Sequence, residues 1–429
     1  MTADLRIDGD RLLRRIEELA TIGPIDGGGS CRLALTDEDR EGRDLVVTWM
    51  RDLGLDVTVD GIGNVVATRP GRTDGPPVMT GSHIDTVRTG GRYDGNLGVL
   101  AGLEVLETLS EHGIETEHPF AVAFFTDEEG ARFPPDMLGS LVYVGGMGLE
   151  DALDITGIDG AEVGAELDRI GYRGPAPCPG PAPRAFVELH VEQGPVLEAE
   201  GTTIGAVTGV QGISWTGYTV TGQSNHAGTT PMHLRHDAGY AAARIATHVR
   251  EVAECMGDRQ VATVGRLELH PDLVNVVAGS AELTVDLRNT DETLLRAAEA
   301  DVAAFVAGLA ADEGVEVEAT TLARFEPVEF DDRVVAAVAA TAERLGHSVA
   351  RMPSGAGHDA QMLARVCPTG MVFVPSRDGI SHNPAEHTDP ADLVAGADVL
   401  LQVLLHLDAC DLDAGDLDAG DPDGEGDAR

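Results

Sequence analysis

The run Phe120-Ala-Val-Ala-Phe-Phe-Thr-Asp-Glu-Glu129, FAVAFFTDEE, passes abruptly from six apolar side chains through a threonine to three carboxylates. An unbroken apolar run this short reads as a strand buried on both faces. Three other runs end in the same manner. Val78-Met-Thr80 leads into Gly81-Ser-His83-Ile-Asp85, Phe186-Val-Glu-Leu-His-Val191 closes on His190 and Glu192, and Gly370-Met-Val-Phe-Val-Pro-Ser376 leads to His382. Helical spacing separates them, at residues 36–54 behind a Thr36-x-x-Asp39 start signal, at 97–111, at 333–345 and at 390–407. Alternation of this kind predicts an α/β fold with a mainly parallel sheet. In such sheets the ligand crevice lies at the carboxyl ends of the strands, so the four polar clusters are expected to converge there. Residues 81–95, GSHIDTVRTGGRYDG, are expected to form a loop carrying His83, Asp85 and Asp94, with glycines that let the backbone pack closely.

From about residue 212 the order becomes strand 215–221, helix 234–255, strand 262–269, strand 281–288, helix 291–313 and strand 315–322. That is the βαββαβ order of a ferredoxin-like unit. If His382 completes a site begun at His83, residues 212–325 are an inserted lid. The catalytic domain then consists of residues 1–211 and 326–408. Residues 409–429 are rich in aspartate and glycine, have little to bury, and are expected to form a disordered acidic tail.

All 30 basic residues are arginine, against 73 acidic ones, for a net charge of −43. Nucleic acid and anionic membranes would repel such a chain. Because the acids are spread along its whole length, they predict a surface suited to concentrated salt, where the Debye length shrinks to ~3 Å at 1 M. The reading is a halophile's cytoplasmic protein, with no apolar run near the ~20 residues of a membrane span. Five scattered cysteines without Cys-x-x-Cys spacing predict reduced thiols.

Imidazoles and carboxylates without cysteine suit zinc, manganese or cobalt, and two such ions side by side make a hydrolytic site. The bridging place falls to Asp94. Asp85 is expected to accept the second imidazole proton of His83 and fix its tautomer. Of Glu128 and Glu129, neighbours at a strand end, one can bind metal while the other remains a general base. Taken singly, each has a plainer explanation: most histidines at strand ends are structural, and Glu-Glu pairs are common in so acidic a chain. Four strand ends with ligand chemistry are harder to explain in that way. The middle unit adds Gln223-Ser-Asn-His226-Ala-Gly-Thr-Thr-Pro, Asn275 and Arg288. Arg288 has the fork that binds a substrate carboxylate, and His226 can donate to an oxyanion. Gly355-Ala-Gly357-His-Asp359 is a glycine turn opening a helix, whose amides can face a ligand.

The stretches GSHIDTVRTGGRYDGNLGVLAGLE, FFTDEEGARF, ELHVEQGPVLE, TGQSNHAGTTPM, GAGHDAQMLA and FVPSRDGISHNPAEHT, spread over almost all of the chain outside the tail, carry a family resemblance. The sequence resembles the carbamoylase branch of the aminoacylase and carboxypeptidase-like dinuclear metallohydrolases. That group includes N-carbamoyl-L-amino-acid hydrolase, allantoate amidohydrolase and β-ureidopropionase. The resemblance implies that His83, Asp94, Glu129, His190 and His382 bind two divalent metal ions, with Asp94 bridging and Glu128 as general base. It implies that Gln193, His226, Asn275, Arg288 and Gly357 hold a small substrate bearing a ureido group and a carboxylate. A homodimer through the lid is implied too, with His226 reaching a neighbouring subunit's site. Leu141 in MLGSLVY stands where many relatives are expected to carry arginine. The implied reaction is hydrolysis of a linear amide or ureido C–N bond, with N-carbamoyl-L-amino acids as first choice of substrate and allantoate or N-carbamoyl-β-alanine as alternatives. A dipeptidase or N-acyl amino acid deacylase is a further enzyme reading, and a non-catalytic metal-binding protein is favoured only if ligands are missing.

Overall fold

The computed structural model describes residues 3–257, 259–410 and 412. Four central strands run parallel in the order Phe120–Phe125, Val78–His83, Ala185–Val191, Thr369–Val374, and every residue in them is buried. The mainly parallel expectation describes this centre. Flanking strands run antiparallel: Asp56–Val59 and Val65–Arg69 on one side, Ile204–Val210 on the other. A parallel block needs helices on its faces, which is why these strands read as continuous apolar runs.

One correction concerns the 81–95 loop. The strand continues through Gly81 and Ser82 to His83, because these residues pair with Ala123, Phe124 and Phe125. A side chain at Gly81 would put a Cβ 2.3 Å from the Ala123 carbonyl oxygen, so the close approach requires glycine. His83 is therefore the last residue of a strand, and the loop begins after it.

Thr36 caps the Asp37–Asp52 helix by accepting from the Asp39 amide at 3.3 Å, as its start signal predicts. The Asn96–Glu111 helix is buried along most of its length. A Cβ at Gly98 would fall 2.6 Å from the Leu189 carbonyl, and one at Gly102 would fall 2.7 Å from Thr80 Cγ2. Against the sequence expectation, the Pro390–Ala409 helix is long and apolar enough, by length and composition, to cross a membrane. Here it packs against the Asn96–Glu111 helix and the Thr369–Val374 strand, and 67% of its most apolar window is buried. Missing from the sequence reading are the short helices Leu138–Tyr143, which contains Leu141, and Val163–Ile170, together with the strands Ile204–Val210 and Val349–Ser354.

Contacts divide the chain into two compact units, Met1–Thr208 with Phe330–Arg429, and Gly209–Glu329. The second has the sheet order of strands Glu316–Phe325, Gly212–Thr221, Ser280–Asn289, Val261–His270, all antiparallel. Helices Ala238–Met256 and Glu292–Glu313 cover one face, over a core that includes Val220, Ile245, Leu283, Val285, Leu295 and Val302. Alternation along Ser280–Asn289 explains this packing: Ala281, Leu283, Val285 and Leu287 are buried, while the residues between them are partly exposed. All five cysteines are free. The tail expected from residue 409 lies outside the described residues, apart from Ala409 at a helix end, Cys410 and Leu412.

Candidate metal centre

Two imidazoles are aimed by the backbone. The Nδ1 of His83 donates to the Asp85 carbonyl at 2.9 Å and that of His190 to the Val191 carbonyl at 2.8 Å, which leaves both Nε2 atoms on the side of Asp94, where that of His190 also accepts from the Gly95 amide at 3.1 Å. The carboxylate of Asp94 lies between them, 3.7 Å from His83 Nε2 and 3.2 Å from His190 Nε2. Its other oxygen is 3.5 Å from Nε2 of His382, which in turn is 3.3 Å from Glu129. Two groups of potential ligands result, His83 with Asp94 and His190, and Asp94 with Glu129 and His382. Within each, the donor atoms lie within 4.8 Å of one another. Both contain Asp94.

This donor set fits a pair of divalent cations. Oxygen and imidazole nitrogen are the ligands such ions take, and tying Nδ1 to a carbonyl is the usual support for a metal-binding imidazole. The glycines serve the same geometry. Gly95 has φ +66°, and a Cβ there would lie 2.3 Å from the His83 ring. His382 differs from the other imidazoles: its side chain is 52% exposed, against 2% and 1% for His83 and His190.

Glu128 belongs to neither group. Its Oε2 lies 3.5 Å from His83 Nε2. Burial, then the charges of Asp359, Glu129, Asp85 and Asp94, raise its carboxyl well above the usual range, which suits a group that takes up and returns a proton. For Asp94 burial acts in the same direction, but the hydrogen bond and charge of His190, followed by His83 and His382, outweigh it and hold the carboxyl far below the usual range. Burial opposes protonation of His190, yet Asp94 and Glu188 lift it to about 9. His382 is also lifted to about 9, mainly by its hydrogen bond to Glu129.

Several side chains make hydrogen bonds beyond those expected of them. Asp85 does sit behind His83, but its carbonyl holds the imidazole. Its carboxylate instead accepts from the amides of Glu128 at 3.3 Å and Glu129 at 3.4 Å, fixing the acidic pair. Burial raises Asp85 to about 6. Glu192 turns away from the centre and caps the next helix through the Val196 and Leu197 amides. Gln193, expected on substrate, donates to Asp94 Oδ2 at 2.9 Å and to Ser381 Oγ at 3.2 Å. Gly357 lies beside Met137, whose amide donates to the Glu128 carbonyl.

In the second unit, Ala227 N–H donates to the Asn275 carbonyl at 2.9 Å and Val277 N–H to the Asn225 carbonyl at 2.8 Å, which joins the loops of His226 and Asn275. Both of these side chains are exposed. Arg288 projects from the sheet face opposite the helices, paired with Asp286 at 2.9 Å and with its guanidinium carbon 5.9 Å from the Trp215 ring. A substrate carboxylate would have to compete with Asp286 for it.

Sequence reasoning missed the layer behind the ligands. The His358 ring meets that of His190 edge-on at 4.5 Å, and its Nε2 is 2.9 Å from Ser354 Oγ. Burial, then the charge of His190, hold His358 well below the usual histidine value. Glu188 accepts from Ser82 Oγ at 2.6 Å and from the Ala360 amide at 2.8 Å. With His190 and His358, it forms a third group with metal-ligand spacing. The GAGHD signal marks the position of His358 but points to the glycine amides rather than to the imidazole.

Residues 79–406 match Peptidase family M20/M25/M40. The chain belongs to that family. Over 401 residues it is 43% identical to the N-carbamoyl-L-amino-acid amidohydrolase of Rhizobium meliloti, covering 93% of this chain and 96% of that one. It is 36% identical to the allantoate amidohydrolase of Bacillus subtilis over 396 residues, 91% of this chain and 96% of the relative. Among solved structures, the amidase of the hydantoinase/carbamoylase family from Burkholderia multivorans superposes with a TM-score of 0.92 at 48% identity, covering 94% of this chain and 98% of that one. As a family member, the chain is a metal-dependent hydrolase.

Proposed function

We propose that the protein hydrolyses the ureido group of N-carbamoyl-L-amino acids, releasing ammonia, carbon dioxide and the amino acid. One observation carries the reading: two ligand groups share Asp94, while Glu128 stands beside His83 and belongs to neither. A pair of ions held there, zinc or alternatively manganese or cobalt, would supply Lewis-acid activation of water and of the scissile carbonyl. Glu128 takes the proton of the attacking water and passes it to the leaving nitrogen. Gln193 and Ser381 keep Asp94 oriented. His226 donates to the developing oxyanion, Asn275 and the Gly357 turn hold the ureido end, and Arg288 selects substrates with a carboxylate.

In this reading residues 212–325 are an inserted lid in a catalytic domain made of residues 1–211 and 326–408. The chain's departure and return as paired strands, Val210 opposite Val328 and Gly209 opposite Glu329, support it. A homodimer through this unit, with His226 serving one site or the other, is supported by the edge strand Val261–His270. Its Leu267 is 45% exposed, and Met232, Leu234, Leu273 and Val274 of the same unit are exposed as well. The net charge of −43 supports a cytoplasmic protein of salt-rich cells that binds neither nucleic acid nor membrane.

Purified protein in molar salt, with zinc, manganese or cobalt added separately, is to be assayed on N-carbamoyl-L- and D-amino acids, N-carbamoyl-β-alanine, allantoate, N-acetyl amino acids and dipeptides. The highest kcat/KM is expected on an N-carbamoyl-L-amino acid; a preference for N-acetyl or dipeptide substrates overturns the reading. Glu128→Gln is expected to lower kcat by ~10²–10⁴-fold or more while both ions stay bound. Full turnover by that variant would remove Glu128 from the mechanism.

A further inference from the structure

Beyond the five ligands, one buried carboxylate is bonded to the loop of the shared ligand. Glu386 is 6% exposed and comes from the segment that follows His382. Its Oε1 accepts two amides in succession, from Tyr93 at 2.9 Å and from Asp94 at 3.2 Å. Its Oε2 is buried and has no hydrogen-bond partner among the described residues. The contact is tight from the other side as well, since a Cβ at Gly91 would lie 2.2 Å from the Glu386 carboxyl carbon. The loops of Asp94 and His382 meet at a second point, where Thr89 Oγ1 donates to the His382 carbonyl at 2.9 Å. Pro384, between His382 and Glu386, packs where Gly29 could carry no side chain: a Cβ there would lie 2.9 Å from the Pro384 Cα and 2.2 Å from the Gly90 carbonyl.

A buried carboxylate oxygen accepting two consecutive amides sets the direction of the two peptide planes that flank the Tyr93 Cα, the second of which leads into the Asp94 Cα. It thereby sets the direction in which the Asp94 side chain leaves the main chain. Because the same residue lies four positions after His382, it also fixes the spacing between the loop of the shared ligand and the loop of the most exposed one. We propose that Glu386 is a positioning residue for the metal pair: by clamping the Tyr93 and Asp94 amides it holds the Asp94 carboxylate across both metal positions and ties the His382 loop to it. The bonds of the Glu386 side chain go to main-chain amides, so it acts through the backbone that carries Asp94. The inference rests on the two-ion reading above.

The test uses the full chain with zinc, and separately with cobalt, whose absorption spectrum reports ligand geometry. Wild type is expected to bind two ions per chain; a wild type that binds only one overturns both this inference and the two-ion reading. With two bound, Glu386→Ala is expected to weaken affinity by about 10–100-fold, the range for outer-shell partners of metal ligands, and to change the cobalt spectrum. Glu386→Gln keeps a carbonyl acceptor for both amides and is expected to restore affinity to within a few-fold of wild type. Gly91→Ala pushes on the same carboxylate from outside and guards against an unfolded Glu386→Ala; it is expected to weaken binding alike, and the double variant is expected to add little to either single change. Folded Glu386→Ala or Gly91→Ala protein with two ions at wild-type affinity and an unchanged spectrum overturns the proposal. So does Glu386→Gln as weak as Glu386→Ala.

Discussion

The metal centre and the polar set of the inserted unit are built in opposite ways. His83, Asp94 and His190 are buried and fixed by main-chain carbonyls, amides and glycines. His226 and Asn275 are exposed on loops, and Arg288 is paired with Asp286, two residues back in the same strand, and lies beside Trp215. Burial keeps the first set arranged before any ligand arrives. Ordering exposed side chains costs free energy at the moment of binding, so the second set suits selection among substrates better than the fixing of ions.

The sharpest way to break this contrast is at the shared ligand. Asp94→Ala removes one donor from each group, and both ions are expected to be lost, with turnover reduced at least as far as by Glu128→Gln; metal analysis after dialysis checks this. Two ions retained at full occupancy would deny Asp94 its bridging place. Arg288→Ala should act on selection alone. It is expected to lower kcat/KM by about 10–100-fold on carboxylate substrates, the worth of a charged hydrogen bond of ~1.5–3 kcal/mol, and to leave metal content unchanged. The amide analogue of the same substrate should be nearly indifferent to the change. An equal loss on both substrates would point to a structural role for Arg288.

The smallest effect contrasts the buried carboxylates with one at the rim of the same unit. Hydrogen bonds from Arg169 first, and then Arg132, outweigh slight burial and hold Glu166 below its ordinary value. A carboxyl with a depressed folded-state pKa adds stability above its unfolded pKa, about 4.3, and loses it as pH falls through the folded value. The difference in urea midpoint between wild type and Glu166→Gln should therefore be largest near neutrality and close under acid conditions. A gap that widens on acidification would contradict the assignment.

Much of the centre was legible in sequence because His83, Glu129, His190 and His382 lie at or after the end of an apolar run, and a parallel sheet gathers the ends of its strands in one place. FAVAFFT and MVFVPS indicated the strands, and the residues after them indicated the ligands. What could not be read was the level at which a side chain acts. Asp85 works through both its carbonyl and its carboxylate, Glu192 caps a helix and Gln193 reaches Asp94, because these roles depend on χ angles and backbone direction rather than on residue type. Gln193 and His382 adopt φ of 59° and 52°, local conformations that nothing in the pattern announces. Strands Ile204–Val210 and Val349–Ser354 escaped because glycine and proline interrupt their apolar runs. The Pro390–Ala409 helix does not read as an unbroken apolar run because three aspartates punctuate it. The ferredoxin-like unit, with its regular alternation, was legible in the order of its elements.

The two glycines under the Asn96–Glu111 helix have a consequence for how the centre tolerates change. The helix begins two residues after Asp94, so its amino end, with its partial positive charge, enters the crevice wherever the helix axis puts it. Gly98 and Gly102 set that height by leaving no room between helix and sheet. A single methyl between helix and sheet, at Gly98 or Gly102, would raise the helix like a shim and tilt the carboxylate at its head. The tolerance of the reaction to error is therefore written partly in the thickness of the layer behind it.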